Sequence, residues 1–147
     1  MTSDVAGALF VYGTLRFDAV VDALLGRVPT ITPAVVGGWR AAALPGRSYP
    51  GLVPARPGDV CAGRCLSGLT RAERELLDLF EGDPYEAREL ALVGGGSAVA
   101  YLWRDVTDVR TSDWDPDRFA AEHLAGFVRR CRLWRARVVA APPDPPR

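Results

Sequence analysis

The sequence predicts an α+β fold: a small mixed sheet curled toward a barrel, with about three flanking helices. Three observations carry this. Apolar runs of strand length outnumber helical stretches, strict strand–helix alternation is missing, and one run contains the pair Gly37-Gly38, where a strand would bend. The 147 residues suit one domain. It is expected over 8–135, with flexible tails at 1–7 and at the Pro-rich 140–147.

Each element has its own local cause. Residues 8–12 form a short buried run and read as the first strand. Phe17, Val20, Val21, Leu24 and Leu25 recur at helical spacing, and Gly26 is a natural stop. Residues 34–44 read as the bent strand, and 45–51 as a loop rich in turn residues. Short strands follow at 52–55 and 59–66. Thr70 and Glu73 fit a capping box ahead of Leu76, Leu77 and Phe80, and Gly82 closes that helix. Tyr85–Val93 and Ala98–Val106 read as a hairpin around Gly94-Gly95-Gly96-Ser97. In the last helix Asp115 is the N-cap, Pro116 suits the first turn, and Trp114 can staple against Phe119. Its inward stripe is Phe119, Leu124, Phe127, Val128 and Cys131.

Composition excludes several classes. The formal net charge is +0, so neither nucleic acid nor an anionic membrane is an expected partner. No run approaches a membrane span, and residues 1–8 lack the pattern of a secretory leader. The expected location is cytoplasmic, with the three cysteines reduced. All 18 Lys and Arg residues are Arg, which removes Schiff-base lysine chemistry. Cys61 and Cys65 lie four apart beside a single His in the chain; that spacing and ligand count argue against a metal site. Oligomeric state is left open.

The candidates for chemistry are few. His123 has no obvious nucleophile to serve and reads as a helix-surface residue. Ser48 lacks the frame of a nucleophile elbow, and "YGTLR" at 12–16 lacks the second Gly and the Lys of a phosphate loop. Glu81 stands in the last turn of a helix, facing its negative end, with Asp78, Asp83 and Glu86 near in sequence. Like charge, dipole and burial would all raise its pKa toward the range of proton transfer; a solvated acidic loop would leave it unshifted. The strand that stops at Gly13 exposes backbone N–H groups that could hold a carboxylate or an oxyanion. A plain turn explains the same residues.

Two segments read together sharpen this. "VYGTLR" at 11–16 and "LDLFEGDPYEARE" at 77–89 resemble the gamma-glutamylcyclotransferase-like family, in particular its branch with the plant avirulence-induced proteins. "GRSYPGLVP" at 46–54 is similar to the family's middle motif, and "EHLAGFVRRCR" to the ending of that branch. The resemblance covers roughly residues 8–135. It implies a small mixed barrel with flanking helices and a cofactor-free cyclotransfer. In that reaction the α-amino group of a small γ-glutamyl substrate attacks its own γ-carbonyl, giving 5-oxoproline and a free amine or amino acid. It implies Glu81 as general acid/base and Tyr12, Gly13, Thr14 and Leu15 as the substrate loop, with Arg16 and Phe17 at its edge. Tyr49 and Tyr85 are plausible pocket hydroxyls. An internal nucleophile removes the need for a Ser–His or Cys–His pair. The alternative is a module that binds an amino-acid-like ligand in the same pocket without turnover.

Overall fold

In the computed structural model, which describes residues 6–140, the sheet is organised around one long strand shared by two short ones. The elements run β1 (Leu9–Val11), a 3-10 turn (Thr14–Arg16), α1 (Asp18–Leu25), β2 (Thr30–Gly37), β3 (Trp39–Ala43), β4 (Pro50–Pro54), β5 (Val60–Ser67), α2 (Arg71–Glu81), β6 (Tyr85–Ala91), β7 (Ser97–Trp103), α3 (Pro116–Glu122) and α4 (Leu124–Ala140). The tails expected at the two ends lie for the most part outside the described residues.

The seven strands pair in the order β2-β5-β1-β7-β4-β3, with β6 on the other side of β7. The ends of that order, β2 and β3, are halves of one run bent at Gly38, whose φ of 82° favours glycine. The sheet therefore curls back on itself. The bend expected at Gly37-Gly38 is this corner. The β6–β7 hairpin carries the Gly94–Gly96 turn, and all three glycines have positive φ.

Alternation along the strands splits the core in two. Phe10 and Tyr12 point to one side, with Val36, Leu52, Cys65 and Leu102; this cluster comes from the strands and their immediate flanks and fills the inside of the curl. Leu9 and Val11 point to the other side, where α1, α2 and α4 pack through Val20, Leu24, Leu77 and Val128. Cys61 and Cys65 lie on one strand, both buried and both free thiols.

Helix ends follow the local chemistry. The Thr70 hydroxyl accepts from the Glu73 N–H at 3.1 Å, and the Glu73 carboxylate accepts from the Thr70 N–H at 2.9 Å. The Asp115 carboxylate accepts from the N–H groups of Asp117 and Arg118, and the Trp114 and Phe119 rings meet at 5.5 Å. The expected final helix is two helices, broken at His123, whose backbone (φ −127°, ψ −20°) leaves the helical range. Two strands start earlier than their residues indicate: β2 at Thr30 rather than 34, and β4 at Pro50. At both places the cause is pairing: Thr30–Pro33 with β5, and Pro50 and Gly51 with Ala43 and Ala42 of β3.

Candidate active site

β7 offers one edge to two strands in turn. Leu9 and Phe10 of β1 pair in parallel with Val99 and Ala100, and Leu52 of β4 pairs with Leu102. Tyr101 sits between the two partners. The chain leaving β1 turns away at this seam, and a cavity opens where it turns.

The turn is built by Gly13. A Cβ at that position would lie 2.8 Å from Pro50 Cγ, so only glycine lets the loop close against β4. The N–H groups of Arg16 and Phe17 are spent on the carbonyls of Gly13 and Thr14, at 3.0 and 3.2 Å. A short turn leaves its first N–H groups without an internal partner; here these belong to Thr14 and Leu15. Both residues are buried.

Glu81 arrives from the opposite side. It is the last residue of α2. That helix end is clamped by Phe80, whose ring stands edge-on to Phe127 at 6.2 Å and to Trp134 at 5.2 Å, both on α4. Glu81 and the turn line one cavity of about 170 Å³, together with Tyr12, Gly13, Thr14, Leu15, Tyr49 and Tyr85. Those are six of the eight expected loop and pocket positions, together with the acid; Arg16 and Phe17 stand apart. Arg16 ends the 3-10 turn, its carbonyl accepting from Arg64 at 2.8 Å. Phe17 packs into the helical core, 5.5 Å from the Phe119 ring.

The electrostatics single out Glu81. Desolvation by burial, and secondly the charge of Asp78, push its carboxyl up to about 8. Burial holds the phenols of Tyr12, Tyr85 and Tyr101 well above their ordinary range. They are therefore neutral donors rather than bases. Tyr12 Oη donates to the Tyr101 carbonyl at 2.5 Å, and Tyr85 Oη to the Pro50 carbonyl at 2.8 Å. Among the described residues none donates a hydrogen bond to the Glu81 carboxylate, and Glu81 is the one carboxyl lining the cavity.

Sequence reasoning missed Tyr101, Phe80 and Phe127, which also line the cavity. The alternation of Val99, Tyr101 and Trp103 marks a face of β7 but not what that face meets. His123 is exposed, and the Ser48 carbonyl accepts from Trp114 Nε1 at 2.7 Å. Among the described residues no group of three or more His, Cys, Asp or Glu could hold a metal ion, and no helix is long and apolar enough to cross a membrane.

Known proteins share this architecture. The profile of the family described as gamma-glutamyl cyclotransferase, AIG2-like, matches residues 9–116. AIG2-like protein D of Arabidopsis thaliana is 32% identical over 130 residues, covering 83% of this chain and 84% of its own. AIG2-like protein C of the same plant is 34% identical over 126 residues, covering 82% and 73%. An Arabidopsis thaliana protein solved in solution superposes with a TM-score of 0.67 at 26% identity, over 97% of this chain and 89% of that one. A solved gamma-glutamyl cyclotransferase superposes with a TM-score of 0.60 at 14% identity, over 94% and 89%, a likeness of fold.

Proposed function

The chain belongs to the gamma-glutamyl cyclotransferase, AIG2-like, family, and from that premise we propose that it cyclises a small γ-glutamyl substrate, releasing 5-oxoproline and an amine or amino acid. The observation that carries the reading is the shared cavity: a carboxyl shifted to about 8 lines it together with a turn whose Thr14 and Leu15 N–H groups have no partner within the turn.

The chemistry suits these groups. The substrate's α-ammonium gives a proton to the Glu81 carboxylate. The freed amine attacks the γ-carbonyl carbon, forming the ring C–N bond and a tetrahedral oxyanion. Backbone N–H groups of the Thr14–Leu15 turn are donors of the kind that stabilise such charge. The oxyanion then collapses and the bond to the leaving nitrogen breaks as Glu81 returns its proton to that nitrogen. The ring nitrogen, left with two protons by the attack, gives its second one through the same carboxylate to the departing amine, which leaves as an ammonium. Protons balance over the cycle, and the nucleophile comes with the substrate.

A raised pKa fits a group that must both take and give a proton near neutrality. Tyr12 and Tyr85 hold the cavity wall, and Phe80 with Phe127 excludes water from one side of the acid.

The test offers purified protein a panel of γ-glutamyl amines and dipeptides and measures 5-oxoproline. Release by the native protein and its loss in Glu81→Gln support the reading. Tight binding of a γ-glutamyl compound that stays intact on long incubation would replace it with the binding module.

A further inference from the structure

The acid at the end of α2 is not held by its own hydrogen bonds, so something else fixes where it points. One turn earlier on the same helix, Asp78 Oδ1 accepts two bonds. Tyr101 Oη donates to it at 2.6 Å from β7, and Arg74 Nε donates at 2.9 Å from the preceding turn. The Arg74 guanidinium also lies over the Tyr101 ring, 5.8 Å from its centre. Tyr101 in turn accepts the Tyr12 hydroxyl at its backbone carbonyl. One β7 residue thus joins the loop side of the cavity to the helix side.

We propose that Asp78 is a positioning residue for Glu81, and that Tyr101 is the strut through which Asp78 ties the end of α2 to the sheet. The inference rests on the cyclotransferase reading only for what Glu81 does; the linkage itself is geometric. An anchor on the helix surface at i−3 fixes the rotation of the last turn. The same carboxylate places a negative charge beside Glu81.

The groups facing Glu81 are few. Asp78 comes from α2, with Arg74 paired to it, Tyr12 from the end of β1, Tyr85 from β6, Tyr101 from β7 and Cys131 from α4. The tyrosines and Cys131 are neutral near pH 8, since burial pushes the Cys131 thiol up to about 12 and the Tyr12, Tyr85 and Tyr101 phenols higher than usual. Asp78 is then the negative neighbour, and Arg74 its counter-charge. The two variants Asp78→Asn and Tyr101→Phe separate charge from strut. Asparagine keeps an oxygen for Tyr101 to bond but removes the charge. Phenylalanine keeps the charge but removes the bond.

The experiment follows the Glu81 side-chain carboxyl by carbon-13 NMR across pH 5–10 in the native protein and both variants, with 5-oxoproline release measured in parallel. Asp78→Asn should move the Glu81 midpoint down by about 0.5–1 pH unit. Tyr101→Phe should leave it at or above the native value while lowering the plateau of kcat/KM several-fold. An unmoved midpoint in Asp78→Asn, or a fall in Tyr101→Phe matching it, overturns the proposal. Native protein without turnover would defeat the proposed reaction, yet the carboxyl titration would still decide the linkage.

Discussion

Tyr12 Oη donates to the backbone carbonyl of Tyr101 at 2.5 Å, and Tyr101 lies in register between Ala100, the partner of Phe10, and Leu102, the partner of Leu52. The side chain of the residue after one short strand thus bridges the seam between two strands that share an edge. Tyr12→Phe would leave a buried carbonyl unpaired, a loss of about 1–3 kcal/mol. Urea unfolding should show the midpoint falling with the slope unchanged.

Glu81 sets stability against the proposed activity. Its carboxyl keeps a proton to about 8 in the fold and to about 4.3 in the unfolded chain. Between these values the native state binds more protons, so stability falls as pH rises through that window. Glu81→Gln removes this slope. At pH 9 it should be more stable than the native protein by about 2–4 kcal/mol, a figure discounted because the residue is only half-buried. Thermal unfolding at pH 5 and pH 9 checks it.

The same carboxyl sets the pH profile of the proposed reaction. Accepting the ammonium proton needs the carboxylate form, so kcat/KM should rise with pH through a limb near 8. Glu81→Gln should lower the rate on the order of 10²–10⁴-fold and abolish the limb. A profile flat from pH 6 to 9 would remove Glu81 from the proton transfer.

Gly13 is a packing constraint rather than a flexible joint. In Gly13→Ala the new methyl meets Pro50 at 2.8 Å, and the neighbour is a rigid ring. The overlap should cost about 1–3 kcal/mol and push the turn away from β4. Substrate KM should rise more than kcat falls, since in the proposed reaction the turn holds the substrate and does not transfer the proton; steady-state kinetics separates the two.

Thr70 tests whether local stability at one end of α2 matters to the site at the other. Removing its hydroxyl breaks the reciprocal bonds with Glu73. Thr70→Ala should lower stability by about 1 kcal/mol, leaving kcat/KM within twofold at temperatures where the protein stays folded. Calorimetry and rate measurement on one sample check both.

What could be read from the residues was chemistry that acts over four or five positions. Thr70 with Glu73, Asp115 with Asp117 and Arg118, and Gly26 at a left-handed helix end (φ 78°) all declare themselves by type and spacing. The corner at Gly38 is of the same kind. The missed features depend on partners far along the chain. Thr30–Pro33 holds no apolar run and is largely exposed, and it is a strand because β5 pairs with it. The break at His123 has no Pro or Gly to mark it. Tyr101 joins the cavity because β1 and β4 meet beside it, a fact of sheet order. Glu81 stood out through charge and helix position, whereas the removal of water from its carboxyl arises from Phe80, Phe127 and the sheet.

The position of β1 has a kinetic consequence. The strand precedes every other strand in the chain, yet it stands inside the sheet, between β5 and β7. Leu9 pairs with Leu66 on one side and Val99 on the other. During synthesis β5 can pair with one edge of β1 as soon as it emerges, but the other edge stays open until β7 has followed. Contacts at such separation carry a large loop-closure cost and form late. The proposed substrate turn, attached to the end of β1, would be among the last parts of the molecule to reach its final shape.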